Sequence, residues 1–428
     1  MTRVTSASDD DDDDGSFDLD VKMTFGYYTS FDSDETHHSN SGAYLFRPRT
    51  PDERLRAFIP DPTKSWAFRS DLVTEVHVGF DVPWMKQITR LRKGQPYVEV
   101  EYTVGPIPID DGVGKEIVAR YDSGIQSRGV LYTDSNGREF VQRKRGYRPT
   151  WELKEYEPVA GNYYPVNAAA YVEDEDKDDD DDDDDDHRAS MAVLVDRSQG
   201  GASLSDGSIE LMIQRRVLAD DGRGVGEPLN ETVGGVTPYP PYGDASRRGE
   251  GIVVKGVHRI LVGEGGSGAR LARSLMDRTW SPPHVFAASS VAASSDNVLF
   301  KRPGFSAFGG DLPENVMVIT HSLVEKMGSV MTFLVRFAHQ YAKGEDERLS
   351  KPARIDLNKF YGDDFVRVSI AEKTLSGNQD YDQWAKRRLR WKKGGGGVLP
   401  TAAAGDDEWI VELNPMEIKT YLIELSAV

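Results

Sequence analysis

Hydrophobic and polar residues alternate with a period of two along several short stretches of the chain. In Val98 to Val104, valine and tyrosine alternate with glutamate and threonine until Gly105-Pro106 interrupts the run. Ile209 to Gln214 shows the same alternation. This period is typical of strands with one buried face, and the runs are separated by glycine- and proline-containing turns. The pattern predicts a mainly all-β protein with a large antiparallel sheet system.

One stretch has the period of a helix instead. Between Gly268 and Thr279, Leu271, Ala272, Leu275 and Met276 recur at spacings of three and four. These positions share one face of an α-helix, so we predict a helix here.

From Leu312 onwards the predicted strands are shorter and closer together. We therefore expect one β domain over residues 17–311 and a smaller β-sandwich over residues 312–428. The strands predicted for the sandwich are Val316 to Thr320, Met331 to Phe337, Val366 to Ile370, Trp409 to Leu413 and Ile418 to Leu425.

Charge is concentrated in two acidic runs. The 428 residues carry a net charge of -19, most of it in Asp9 to Asp14 and in Glu173 to Asp186. Such blocks repel themselves and stay solvated, so we expect a disordered acidic tail at 1–16 and a disordered insertion at 173–188. The rest of the chain is nearly neutral, which makes nucleic acid an improbable partner.

Composition excludes some classes of function. The chain has no cysteine, so it offers neither a disulfide framework nor thiol catalysis. We find no resemblance to a signal peptide at Met1 and no apolar run of about 18 residues, and we expect no membrane partner. The only histidine pair, His37-His38, has no further ligand at metal-binding spacing, so we predict a solvated loop and no metal site there.

Charged residues and glycines crowd into Asp196 to Pro228. A predicted strand ends at Arg215-Arg216, and the loop after it places Asp220, Asp221 and Arg223 among glycines. This loop is a candidate binding edge. The two aspartates could form the carboxylate pair of a glycosidase, but arginines nearby would keep both ionised, so an ion-pair and hydrogen-bond network is the favoured interpretation.

Aromatic residues are the other sign of sugar binding, because a ring can stack on the apolar face of a pyranose, although a buried ring more often belongs to a core. The candidates are Tyr44, Trp66, Trp84, Trp151, Tyr163 and Tyr164.

Several motifs, spread from about Phe17 to the C-terminus, resemble the C-terminal half of the lysosomal-type α-mannosidases of glycoside hydrolase family 38. They are SGAYLFRP at 41–48, YTVGPIP at 102–108, DDGVGKEIV at 110–118, YTDSNGREF at 132–140, YRPTWEL at 147–153, EPVAGNYYPVN at 157–167, DRSQGGASL at 196–204, DGSIELMIQRRVLADDGRGVGEPLNET at 206–232, LPENV at 312–316 and NPMEIKTYL at 414–422.

The resemblance implies a mutarotase-like β supersandwich followed by a smaller C-terminal β-sandwich. It implies a retaining α-mannosidase whose zinc ligands and aspartate nucleophile lie on an N-terminal α/β domain that precedes a helical bundle. We therefore expect no catalytic residue, metal ligand or cofactor in this chain. The implied partners are that α/β domain, the bundle and mannose-containing glycans, and the implied location is the lysosome or vacuole.

The same resemblance assigns roles to residues of the candidate edge. Tyr44 and Arg216 would contact the mannoside, and Arg215, Asp220, Asp221 and Arg223 would support them. Asn230 lies in an Asn-Glu-Thr sequon and is a candidate glycosylation site if the protein enters the secretory route.

Three functions remain open from the sequence. The favoured one is the C-terminal β portion of an α-mannosidase, inactive alone. The alternatives are a free-standing, non-catalytic carbohydrate-binding β protein and an independent glycosidase that uses Asp220 or Asp221.

Overall fold

The computed structural model describes residues 2–6, 17–33, 39–175, 188–224, 226–233, 250–265, 268–285, 308–363, 365–389 and 409–427. The chain divides into two compact units, Met1–Pro283 and His284–Val428. Both consist mainly of antiparallel sheets, which confirms the predicted all-β class.

The first unit contains the long strands that the alternation predicts. In chain order they are β1 (Thr2–Ser6), β2 (Phe17–Thr29), β3 (Arg56–Ala57), β4 (Pro60–Arg69), β5 (Val73–Phe80), β6 (Met85–Arg92), β7 (Val98–Val104), β8 (Lys115–Asp122), β9 (Val130–Asp134), β10 (Phe140–Lys144), β11 (Tyr164–Val166), β12 (Ala169–Glu173), β13 (Ala189–Val195), β14 (Gln199–Ala202), β15 (Ser208–Arg216) and β16 (Val254–Glu264), with a 3₁₀ turn at Ala160–Asn162.

These strands form two sheets. Among the described residues, a seven-stranded sheet runs β1-β2-β8-β15-β14-β11, with β3 paired to β2, and a nine-stranded sheet runs β10-β9-β12-β13-β16-β7-β6-β5-β4. Their facing sides share one hydrophobic core. The rings of Phe25 on β2 and Tyr102 on β7 lie 6.4 Å apart, and Tyr121 Oη on β8 lies 2.8 Å from His258 Nδ1 on β16. The unit is therefore a large two-sheet sandwich.

Helix α1 (Gly268–Trp280) confirms the helix predicted from the period of three and four. Its Ala272, Leu275 and Met276 pack on the outer side of the nine-stranded sheet, against Tyr171 and Leu194 among others. Strand β13 is consequently buried on both faces, which explains why its sequence is continuously apolar from Met191 to Val195.

The second unit is smaller. Its strands are β17 (Val316–Met327), β18 (Val330–His339), β19 (Ala353–Asp356), β20 (Phe365–Lys373), β21 (Ile410–Leu413) and β22 (Ile418–Ala427), and its helices are α2 (Leu357–Tyr361) and α3 (Tyr381–Arg387).

In the described part of this unit, one sheet has the order β17-β18-β22-β20 and the other pairs β19 with β21. The five strands expected here are all present, with a core that includes Phe337, Leu413 and Ile423. Strand β19 and helix α2 were not predicted, because four or five residues are too few to display a period.

Three boundaries differ from the prediction. Thr2–Ser6, expected to be part of a disordered tail, pairs with β2 from Phe17 to Val21, where β2 would otherwise present a free edge. Residues 7–16 lie outside the described residues. The division into units falls between Pro283 and His284 rather than at 311. Phe308 accordingly belongs to the second unit, where it stacks on Phe360 with ring centroids 4.4 Å apart.

The third difference concerns the acidic insertion predicted at 173–188. Its ends belong to the hairpin formed by β12 and β13, since Asp174 exchanges hydrogen bonds with the backbone of Ala189 and also accepts one from the backbone N–H of Gln126. Residues 176–187 lie outside the described residues.

In the part of the chain that the structure describes, no helix is long and apolar enough to cross a lipid bilayer.

Candidate functional site

The paired arginines at the end of β15 point to opposite faces, and a β-bulge earlier in the strand decides which arginine lies on which face. The pairing of β15 with β8 shifts register between Met212 and Gln214. After the bulge, Arg215 lies opposite Glu116 on β8 and Arg216 lies opposite Lys115. Successive strand residues alternate in direction, so the two guanidinium groups have different surroundings.

Arg215 binds a buried carboxylate and the loop that carries Tyr44. Its Nε donates to Glu116 Oε1 at 2.8 Å, and its Nη2 donates to the carbonyl of Leu45 at 2.6 Å. Ser41 Oγ donates to the same Glu116 oxygen at 2.8 Å. Glu116 and Arg215 together therefore connect strand β15 with both ends of the 41–45 segment.

The Glu116 carboxyl is fully buried, and burial raises its pKa to about 7, while Arg215 and Ser41 oppose the rise. Its second oxygen, Oε2, is buried and accepts no hydrogen bond from the described residues. Such a group is near the balance between its charged and neutral forms at neutral pH.

Asp221 fixes the same segment from the other side. Its Oδ2 accepts hydrogen bonds from the backbone N–H groups of Tyr44 and Leu45 at 2.6 and 2.9 Å, and its Oδ1 accepts one from Arg223 at 3.0 Å. Burial would raise the pKa of Asp221, but these three hydrogen bonds outweigh it and hold the pKa below its usual value. The side chain is completely buried. It acts as an ionised anchor for two loops.

Gly42 allows this close approach. A Cβ atom there would lie 2.6 Å from the Asp221 nitrogen and 2.7 Å from its Cβ. Any larger residue would push the 41–45 segment away from Asp221.

Tyr44 has an anchored backbone and an exposed ring. Tyr44 is 62% exposed. Gly224, in the loop after β15, lies beside the ring, since a Cβ added there would be 3.6 Å from it. Asp220 contributes its carbonyl oxygen, which accepts from Asn40 Nδ2 at 3.3 Å, while its Oδ1 is buried with no hydrogen-bond partner among the described residues. Arg223 contributes its backbone N–H to Asp221, and its side chain is exposed.

Arg216 lies apart from this arrangement. Its Nη1 donates to the carbonyl of Ile107 at 2.6 Å, and its Nε donates to Asn230 Oδ1 at 2.7 Å. Gly251 leaves room for the guanidinium, since a Cβ there would lie 2.3 Å from Nη1. The sequon residue Asn230 is half-buried and accepts from Arg216. The structure thus brings Arg215, Asp221 and Arg223 together around Tyr44, whereas Arg216 and Asn230 form a second group.

Sequence reasoning missed Glu116, Ser41 and Gly42. These residues lie between 75 and 179 positions away from their partners in the chain, and Glu116 is one of four charged residues in the strand KEIVARYD. Nothing in the local sequence distinguishes it from the other three.

The other aromatic candidates separate into packed and exposed residues. Tyr163 is hydrogen-bonded to Glu210, Trp84 packs edge-on against Phe58 at 5.1 Å, and Tyr164 packs on the first core. Trp66 and Trp151 are exposed.

Among the described residues, no group of three or more histidine, cysteine, aspartate or glutamate side chains could hold a metal ion. The described residues therefore do not fit a zinc site. The pair His37-His38 lies outside the described residues.

Comparison with solved structures supports the fold. An alpha-mannosidase from Enterococcus faecalis V583 superposes with a TM-score of 0.55 at 11% identity, over 95% of this chain and 39% of that one.

Sequence relatives are closer. The Bos taurus lysosomal alpha-mannosidase is 37% identical over 406 residues, and the Homo sapiens lysosomal alpha-mannosidase is 38% identical over 410 residues. Each alignment covers 94% of this chain, but only 37% of the bovine protein and 36% of the human one. The chain therefore spans little more than a third of the length of these relatives.

The model of the glycosyl hydrolases family 38 C-terminal domain matches residues 3–223, a range that includes both β15 and the loop of Asp221 and Arg223. The chain belongs to glycoside hydrolase family 38 and contains the C-terminal domain of that family.

Proposed function

We propose that this chain is the β-sheet portion of an α-mannosidase and that Tyr44 forms part of the wall of its sugar pocket. The observation that carries the proposal is the combination of an exposed tyrosine ring with a backbone fixed by a buried, ionised aspartate. A side chain held in this way loses little freedom when a ligand binds, which favours recognition.

The chemistry of Tyr44 suits a mannoside. Its hydroxyl can both donate to and accept from a sugar hydroxyl, and its ring can pack on the apolar face of a pyranose. Arg215, Asp221 and Arg223 act on the sugar indirectly, because they hold the loops on either side of the ring.

Arg216 is the second proposed substrate contact. Its Nη1 donates to Ile107 and its Nε donates to Asn230, and these two hydrogen bonds fix the guanidinium plane. A planar fork of donors fixed in this way is suited to sugar hydroxyls. Asn230 would orient the guanidinium through its side-chain oxygen.

The catalytic chemistry would come from a partner region. In this proposal an N-terminal α/β domain, joined through a helical bundle, binds zinc and supplies the aspartate nucleophile, and this chain completes the pocket for terminal α-mannosides of glycans. The bovine and human relatives are named lysosomal, so we propose the lysosome or vacuole as the location.

An independent glycosidase is disfavoured by the state of Asp221. Both oxygens accept backbone hydrogen bonds and the side chain is completely buried, so it can neither attack a sugar nor act as a general acid. A free-standing carbohydrate-binding protein is the second candidate, and a cavity of the second unit whose lining includes Tyr381 and Trp384 favours it.

The test is reconstitution. Residues 1–428 are assayed for aryl α-mannoside hydrolysis alone and together with the zinc-binding α/β domain and bundle from the same genome. We expect hydrolysis only from the combination. Hydrolysis by 1–428 alone, or none from a combination that binds zinc, would contradict the proposal.

The role of Arg216 is tested in the active combination. Arg216→Ala should lower kcat/KM, while the zinc content of the variant stays equal to that of the parent enzyme. Loss of zinc would instead mean that Arg216 supports the metal-binding region.

A further inference from the structure

A cavity of about 600 Å³ opens on the second unit, beside the end of β20 and the start of β22. Its lining combines aromatic rings, charged groups of both signs and hydroxyl groups. The residues that matter are Glu372, Lys373, Tyr381, Trp384, Glu417 and Lys419. Its volume lies in the range of cavities that bind small ligands.

The walls of the cavity are held in place without a ligand. Arg336 Nε donates to the carbonyl of Leu375 at 3.0 Å, which ties the loop after β20 to the sheet. An ion pair between Lys373 and Asp380 closes the same loop at the point where α3 begins. The cavity is therefore preformed, and binding would require little ordering of the chain.

The aromatic side of the cavity is formed by α3. Tyr381 and Trp384 are three residues apart on this helix, and their ring centroids lie 5.5 Å apart at an interplanar angle of 45°. Arg388 covers the indole at 5.4 Å. Both rings also line the cavity, where they offer apolar surface to the C–H face of a ligand.

The cavity lining carries charges of both signs, and one of its two lysines, Lys373, is also paired with Asp380 at the edge. Glu372 and Glu417 face Lys373 and Lys419 within one lining. The lysines would repel a cationic ligand and the carboxylates would repel an anionic one. A neutral ligand with several hydroxyl groups can instead donate to the carboxylates and accept from the ammonium groups.

Glu372 has unused hydrogen-bonding capacity. Within the described residues, its carboxylate accepts no hydrogen bond from another group, whereas Glu417 accepts from Asn414 at 2.8 and 3.1 Å. Burial raises the pKa of Glu372, and Lys419 opposes the rise. Half-buried acceptors of this kind gain most from a ligand hydroxyl.

We propose that this cavity binds a neutral hexopyranose of a glycan, with Trp384 and Tyr381 against its apolar face and Glu372 accepting from its hydroxyl groups. The site does not use Tyr44 and needs no catalytic partner, so it goes beyond the function proposed above.

The proposal is tested by titrating the purified 428-residue chain with methyl α-D-mannopyranoside and with α-linked mannobiose. Binding is measured by saturation-transfer NMR and by tryptophan fluorescence. We expect saturable binding of at least one sugar. Trp384→Ala should weaken it by about tenfold or more, and Glu372→Gln, which keeps the shape of the side chain, by about threefold or more. Trp66→Ala, an exposed tryptophan of the first unit, is the matched control and should leave affinity unchanged.

The absence of saturable sugar binding would overturn the proposal, as would unchanged affinity in Glu372→Gln. A loss of binding in the Trp66→Ala control would place the site on the first unit and overturn it equally. Tetramethylammonium and inorganic phosphate serve as charged probes, and tighter binding of either than of the sugars would contradict the assignment of a neutral ligand.

Discussion

The carboxylate of Asp221 holds the backbone N–H of Tyr44 at 2.6 Å, across 177 positions of sequence. The contact joins the loop after β15 to the segment after β2, and it leaves the Tyr44 ring exposed. An anchored backbone with an exposed side chain is the arrangement expected of a residue that serves a ligand rather than the core.

Removing the charge of Asp221 should loosen this anchor. In Asp221→Asn, the amide group would face a backbone N–H that now lacks an acceptor, and we expect the free energy of unfolding of the first unit to fall by about 1–3 kcal/mol. Urea unfolding measures this. Asp71→Asn changes an exposed acid as the control, and equal midpoints for the two variants would contradict the anchor.

Gly42→Ala tests the closeness of the two loops. The added Cβ would overlap the backbone of Asp221, and we expect a loss of about 1–3 kcal/mol in the free energy of unfolding. Gly124→Ala is the matched control, because nothing lies within 4 Å of the Cβ it would add. If both variants unfold at the same temperature, the loop does not pack as described.

Glu116 should make stability depend on pH. Its pKa is raised from 4.5 to about 7, so the native state keeps a proton that the unfolded chain loses above pH 4.5. The contribution of this group to stability therefore falls as pH rises from 4.5 to 7, by up to about 3 kcal/mol. Glu116→Gln cannot titrate. The free energy of unfolding of the parent should therefore exceed that of this variant by a margin that grows as pH is lowered through that range. Urea unfolding at several pH values measures the margin.

The control for this comparison is Glu152→Gln, which alters an exposed acid. The difference in free energy of unfolding between Glu152→Gln and the parent should stay constant over the same pH range. A pH-independent difference for Glu116→Gln would show that Glu116 is ionised throughout in the native state.

His258 should change the pH dependence of stability in the opposite direction to Glu116. Burial lowers its pKa from 6.5 to about 3, so the stability it contributes is lost as pH falls below 6.5. Between pH 4.5 and 6.5 the slopes of the two groups, each about 1.4 kcal/mol per pH unit, offset each other. In Glu116→Gln the slope from His258 is unopposed, and that variant should lose stability on acidification.

Sequence periodicity was sufficient for the longer elements that bury one face. The alternation in Val98–Val104 and the spacing of Leu275 and Met276 predict β7 and α1, because each element buries one face. It failed at Thr2–Ser6, where pairing with β2 decides the conformation of a segment that has no pattern of its own.

The candidate site was predicted only in part. The crowding of charges and glycines after Ile213 identified Asp221. The alternation along β15 would assign Arg215 to the inner face, but the β-bulge between Met212 and Gln214 reverses it. Contacts such as Ser41 to Glu116 join residues that are distant in the chain, and no local pattern specifies them.

Tyr44→Phe tests the central claim most directly. The variant removes one exposed hydroxyl and keeps the ring and the anchored backbone, so the stability of the chain should change by less than about 0.5 kcal/mol. In combination with the proposed zinc-binding region, kcat/KM for an aryl α-mannoside should fall about three- to tenfold at unchanged zinc content. Tyr156→Phe, also exposed, should behave like the parent. Equal kcat/KM for Tyr44→Phe and the parent would contradict the placement of Tyr44 in the sugar pocket.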